Sequence, residues 1–161
     1  MNSPSLPAFP KDYRNRLRRI DALSVRILWH VAYYDGPLDG VAVCNGMHCW
    51  FEMIHEDHEI RPRIAEDGER WNDYYARFLL VELTEEQFEE EKKWNDLFRE
   101  KVGTHWDYDE AGKRLPGSVK PQQMWWDYYL SLENRSPRDY SSNRIVGWFE
   151  WLWGSAEATG D

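Results

Sequence analysis

The stretch "NGMHCWFEMIHEDHE", residues 45 to 59, holds three of the chain's five histidines and one of its two cysteines, and Cys44 stands directly before it. Thiols and imidazoles at this density raise two kinds of chemistry, metal ligation and acid–base or nucleophilic catalysis. Zinc needs side chains converging at about 2.0 to 2.3 Å, as paired ligands from a knuckle or from one helix face. Cys44, His48 and Cys49 do not provide that, and His55 and His58 lie three apart rather than in the H-E-x-x-H arrangement. No metal and no cofactor are expected. His30, His48, His55, His58 and His105 beside Asp35, Asp57 and Asp107 remain candidate acids and bases, with Cys44 or Cys49 as a nucleophile, if the fold gathers them. No phosphate-cradling glycine loop and no G-x-S-x-G elbow accompany them.

The elements that position these groups begin with a turn. Asn45-Gly46 between two apolar runs is a strong short hairpin signal, because a type I′ turn needs positive φ at both central residues. With those two residues as the loop, Cys44 pairs with Met47, Val43 with His48, Ala42 with Cys49 and Val41 with Trp50. Cys44, Ala42, Met47, Cys49 and Phe51 then share one face, and Val43, Val41, His48, Trp50 and Ile54 the other. The two cysteines become diagonal neighbours with Cα atoms about 7 to 8 Å apart, too far for an unstrained disulfide. "HEDHE" reads as a strand end or loop, with Pro62 soon after.

Upstream, residues 1 to 10 carry Pro4, Pro7 and Pro10 and predict a disordered or strap-like lead-in. Leu23, Val25, Ile27, Trp29, Val31 and Tyr33 alternate as one face of a long strand, broken by "DGPLDG". The residues "YYDGPLDGVAV", 33 to 43, resemble the entry to small SH3-like or Tudor-like barrels, in which aromatics near this point cage a ligand cation. Over those eleven residues the resemblance implies an SH3-like start to the sheet, with Tyr34 at the ligand.

Downstream, Phe78 to Val81 is an unbroken apolar run suited to a central strand covered on both faces. A helix follows at once, opened by the capping box Thr84-Glu85-Glu86-Gln87 and the staple pair Leu83 and Phe88. Phe88, Trp94, Leu97, Phe98 and Val102 form its apolar stripe and Gly103 ends it. Away from the stripe lie Glu85, Glu86, Glu89 and Glu90, with Glu89 spaced to pair with Lys93. Residues 103 to 117 form a polar loop, and 119 to 132 are helix or strand, with Met124, Tyr128 and Leu132 favouring helix. "RIVGWFEWLW" is a final strand. The sum is an α+β domain: an antiparallel sheet of four to five strands, the first three a meander that the resemblance makes SH3-like, packed with one long amphipathic helix and a shorter C-terminal one. We divide the chain into an extended basic arm, 1–20, a single domain, 21–153, and a flexible tail, 154–161.

With 161 residues, 42% of them hydrophobic, one domain can bury a proper core. No apolar run is long enough to cross a bilayer and the start does not read as a secretory signal, so a cytoplasmic protein is expected. The net charge of −9 argues against general nucleic-acid binding, except through the arm, where Arg14, Arg16, Arg18 and Arg19 cluster. Ten Trp, nine Tyr and six Phe on an acidic chain point to a protein-binding domain, an inhibitor or an immunity or anti-defence type protein, docking on a basic partner through Glu86, Glu89 and Glu90. The alternative is a small-ligand or hydrolytic pocket where Tyr34, His55, His58, His105, Trp106 and Asp107 meet.

Overall fold

The computed structural model describes residues 3–33, 37–103, 110–111, 113, 120 and 122–152. Alternating apolar and polar residues build five antiparallel strands, β1 (Val25–Tyr33), β2 (Pro37–Cys44), β3 (Met47–Ile64), β4 (Arg70–Glu82) and β5 (Ile145–Leu152), paired in simple chain order. One helical turn, α1 (Tyr13–Arg16), precedes them, and two helices, α2 (Glu85–Lys101) and α3 (Gln122–Ser131), lie between β4 and β5. The α+β class and the meander agree with the sequence, and residues 119–132 resolve in favour of helix over their described part.

Asn45 and Gly46 take φ of 50° and 79°, as a type I′ turn requires, and the β2–β3 register is the one the turn dictates, Cys44 opposite Met47 through Val41 opposite Trp50. Alternation then sorts the strands into two buried layers. One face gathers Val25, Ala42, Cys44, Cys49, Phe51, Met53, Ala76, Phe78, Leu80 and Phe149 from all five strands into a single cluster with Ile20. The sheet curls so that this face packs on itself. The backbone of residues 18–20 runs parallel to β5, Ile20 donating to the Trp148 carbonyl and Trp148 to that of Arg18, and β1 starts five residues later. The first and fifth strands are thereby linked across the mouth of the curl. A Cβ at Gly147 would run into the Arg18 carbonyl, so only glycine admits this crossing.

The opposite face carries Trp29, Val41, Trp50, Leu79 and Val81, covered by Leu83 and Phe88 at the start of α2, by Tyr140, and by Leu6, Phe9 and Leu17 of the N-terminal strap. The strap is fixed where Ser5 exchanges hydrogen bonds with Arg138 and Tyr140. Of the two readings of residues 1–10, the strap is the one found over the described part.

Two expectations fail at bulges. Register shifts at Ile27–Trp29 and His30–Ala32 break the alternation of β1, so Val25 and Ile27 face the inner cluster while Trp29 and Val31 face the outer one; Leu23 lies 94% exposed, before the strand. "HEDHE" is not a loop: β3 runs through it to Ile64, and between Met53 and His58 five steps along β3 match two along β4. The extra residues bulge within the strand.

Candidate functional site

Helix α2 forms as its sequence dictates. The Thr84 hydroxyl accepts from the Gln87 amide, the Gln87 side chain accepts from the Thr84 amide, and Gly103 takes φ 89° just past the C-terminus. Trp94 and Val102 are buried against Tyr128 of α3, with Phe98 and Trp94 each meeting the Tyr128 ring edge-on. The two helices thus form one outer layer. The expected docking glutamates Glu86, Glu89 and Glu90 are all exposed. Glu90 is engaged, accepting from the Trp94 indole at 2.9 Å and pairing with Lys93 at 4.0 Å, so the expected Glu89–Lys93 pair gives way to an i,i+3 contact. Glu89 also borders a shallow depression with Lys92, Lys93, Asp96, Leu97 and Glu100.

On α3, Trp126, Tyr129 and Leu130 are 60%, 45% and 60% exposed, while Tyr128 is buried at 8%. At i, i+3 and i+4 these three fall on the side of the helix opposite its buried face. A Trp-Tyr-Leu stripe turned to solvent is unlike the scattered single apolar residues normal on a surface.

Beneath this layer lies a group the sequence reading missed. Glu91, on the apolar stripe of α2 and 2% exposed, takes the Arg138 Nε at 2.8 and 2.9 Å on its two oxygens and also pairs with Arg135. The Arg138 guanidinium stacks 5.0 Å over Trp50 and that of Arg135 5.4 Å over Trp94. The pattern did hold a signal: Glu91 sits three residues from both Phe88 and Trp94, a core position.

A second missed group is the cross-strand pair Asp39 and Glu52, directly opposite each other on the outer face of β2 and β3. Asp39 is buried and accepts the Ala32 amide at 2.9 Å; burial raises its pKa, against the opposing pull of that bond, Arg138 and His55. Burial lifts Glu52 to about 7, the Trp50 indole opposing and Asp39 reinforcing. Two facing carboxyls, both raised by burial, are ingredients of acid–base chemistry.

The "HEDH" bulge delivers an aspartate rather than a histidine to the interior. Arg77, 4% exposed on β4, meets Asp57 at 2.6 Å, Glu59 at 2.5 Å and Glu150 at 3.1 Å, and Tyr13 of the strap donates to Asp57. Burial opposes the Asp57 carboxylate, yet the Tyr13 and Arg77 hydrogen bonds hold its pKa below the usual range. Of the arm, Arg19 lies over the Trp148 ring and 3.9 Å from Glu150, and Arg16 pairs with Asp12, so part of that basic run docks on the chain's own acidic groups. His55 and His58 are exposed on β3. Tyr34, Asp35, His105, Trp106 and Asp107 lie outside the described residues, so the gathering of both loops into a pocket is not on view. Among the described residues no group of three or more His, Cys, Asp and Glu is placed to hold a metal ion.

Comparison with protein-family models, curated proteins and solved structures finds no match to the chain.

Proposed function

We propose that this is a protein-binding domain that docks through the outer layer formed by α2 and α3 onto a partner with a basic surface, and blocks that partner. The observation that carries the reading is the outward stripe of Trp126, Tyr129 and Leu130. Trp and Tyr dominate interface hot spots, and Trp126 and Leu130 leave most of their surface in solvent. Glu86, Glu89 and the net charge of −9 add long-range attraction, which speeds encounter with a cationic surface. The setting is a cytoplasmic one, a reading supported by the two unpaired thiols; none of the described helices is long and apolar enough to cross a membrane.

The test is differential capture. The immobilised chain should retain a protein that dissociates as salt rises, that is lost when Trp126→Ala and Leu130→Ala are combined, and that binds more weakly after Glu86→Lys and Glu89→Lys. Equal capture by all three forms, each shown folded by circular dichroism, would remove the α2–α3 layer as the docking face.

A ligand pocket is the second reading, and the Asp39–Glu52 pair favours it. In that case native mass spectrometry of the purified chain finds a small molecule retained by the wild type and absent from Asp39→Asn, with Trp126→Ala without effect.

A further inference from the structure

We propose that Cys44, Met47 and Cys49 form a binding site for one soft monovalent metal ion, Cu(I) in chemical class, at the turn end of the β2–β3 hairpin. Register places the three sulfur-bearing side chains side by side on one face. Cys44 stands directly opposite Met47, and Cys49 follows two residues along β3, so all three point to the inner face of the curled sheet. Both thiols are wholly buried and free, and the Cys49 thiol donates to the Met47 carbonyl at 3.6 Å, toward the turn. Met47 is half-buried below the exposed Asn45 and Gly46, which leaves the ion a short way in from solvent.

Distance selects the chemistry. Diagonal cross-strand residues have Cα atoms about 7 to 8 Å apart, beyond the range of about 4.4 to 6.8 Å that a disulfide bridges. A disulfide holds its sulfurs about 2.05 Å apart, whereas two metal–sulfur bonds of about 2.3 Å hold them up to about 4.6 Å apart. The pair too wide for oxidation is therefore suited to a bridging ion. Two thiolates and a thioether are the donor set that selects Cu(I). Zinc is disfavoured, since it wants four ligands and no His, Asp or Glu joins the sulfurs in a metal-holding group among the described residues.

Charge fits as well. Loading breaks two S–H bonds, forms two S–metal bonds and releases two protons to solvent, with no electron transferred; the third bond is a lone-pair donation from the Met47 sulfur. The loaded site carries one negative charge. Arg144, which donates to the Met47 sulfur at 3.2 Å, sets one positive charge beside it.

Anaerobic titration of the reduced full chain with Cu(I), against a competing Cu(I) chelator, tests this. Native mass spectrometry should find one ion per chain, with two protons released and a thiolate-to-metal charge-transfer band in the near ultraviolet. Cys44→Ser and Cys49→Ser should each abolish loading. Met47→Leu keeps the shape of the side chain, so the folded variant should load more weakly than wild type; with the proton count, it decides the matter if a serine variant does not fold. Absence of loading, release of fewer than two protons, unchanged affinity in Met47→Leu, or zinc outcompeting Cu(I) would each overturn the site.

Discussion

Alternate residues of the same strands build two unlike interiors. Toward the inside of the curl, β2 to β5 send Ala42, Cys44, Phe51, Phe78, Leu80 and Phe149, with the Phe78 and Phe149 rings stacked at 5.2 Å. Toward the outside they send Val41, Trp50 and Leu79 interleaved with Asp39, Glu52, Arg77 and Glu150. The inner layer needs only shape, because its residues carry no charge to satisfy. The outer layer is wedged between the sheet and a strap, a helix and a loop, and a buried carboxyl there is either matched to a cation, as Glu150 and Glu91 are, or pushed toward its neutral form, as Asp39 and Glu52 are. The difference teaches that one face of this sheet holds by packing alone and the other by packing together with buried ion pairs.

The contrast can be broken most severely by paired truncations. Phe78→Ala inside and Glu91→Ala outside should each cost about 3 to 5 kcal/mol in urea unfolding, the first through a cavity and the second by stranding two buried guanidiniums. Their rescue should differ. Replacing Glu91, Arg135 and Arg138 together by Leu and Met should restore most of the outer loss, since nothing charged is left buried, whereas the inner cavity has no such remedy short of refilling. Next in size is Gly147→Ala, which must push residues 18–20 off β5: a loss of about 1 to 3 kcal/mol, with the Ile20 and Trp148 amides losing hydrogen-exchange protection first.

A smaller effect separates the faces by pH. Folding raises the Glu52 carboxyl from 4.5 to about 7, so the folded state binds its proton more tightly than the unfolded one. The stability this group contributes is present below about 4.5 and lost as pH rises toward about 7. Glu52→Gln should flatten that fall in urea midpoints, and a profile identical to wild type would show that the pair is solvated. Smallest of all, Trp126→Ala with Leu130→Ala should change stability by less than about 0.5 kcal/mol, because both side chains are 60% exposed.

The inner face was readable because its rules are local. Asn45-Gly46 fixed a register, the period of two fixed which residues share a side, and Thr84 with Gln87 fixed the start of α2. Two further rungs of that register put Asp39 opposite Glu52, so the pair was within reach of the same argument. Glu91 was likewise marked by its spacing. What no local rule supplies is partnership across the chain. Arg77 interrupts an apolar strand for the sake of Asp57, Glu59 and Glu150, and Glu91 depends on Arg135 and Arg138, more than forty residues away. The bulges in β1 and β3 were also invisible, since an extra residue shifts the alternation without altering composition.

The crossing of residues 18–20 over β5 sets an order of events during synthesis. Its two halves, Arg19 and Trp148, stand almost a whole domain apart in sequence, and closing a loop of that length must be compensated by contacts that exist only once both ends are present. On the ribosome, the β2–β3 hairpin has its turn and register as it emerges, whereas α2 waits for Tyr128, Arg135 and Arg138, and the curl stays open with the Ile20 and Val25 side of its apolar lining uncovered until β5 follows. Among the described strands β5 is made last, and it is the one on which residues 18–20 dock, so the curl closes only after translation has passed Leu152.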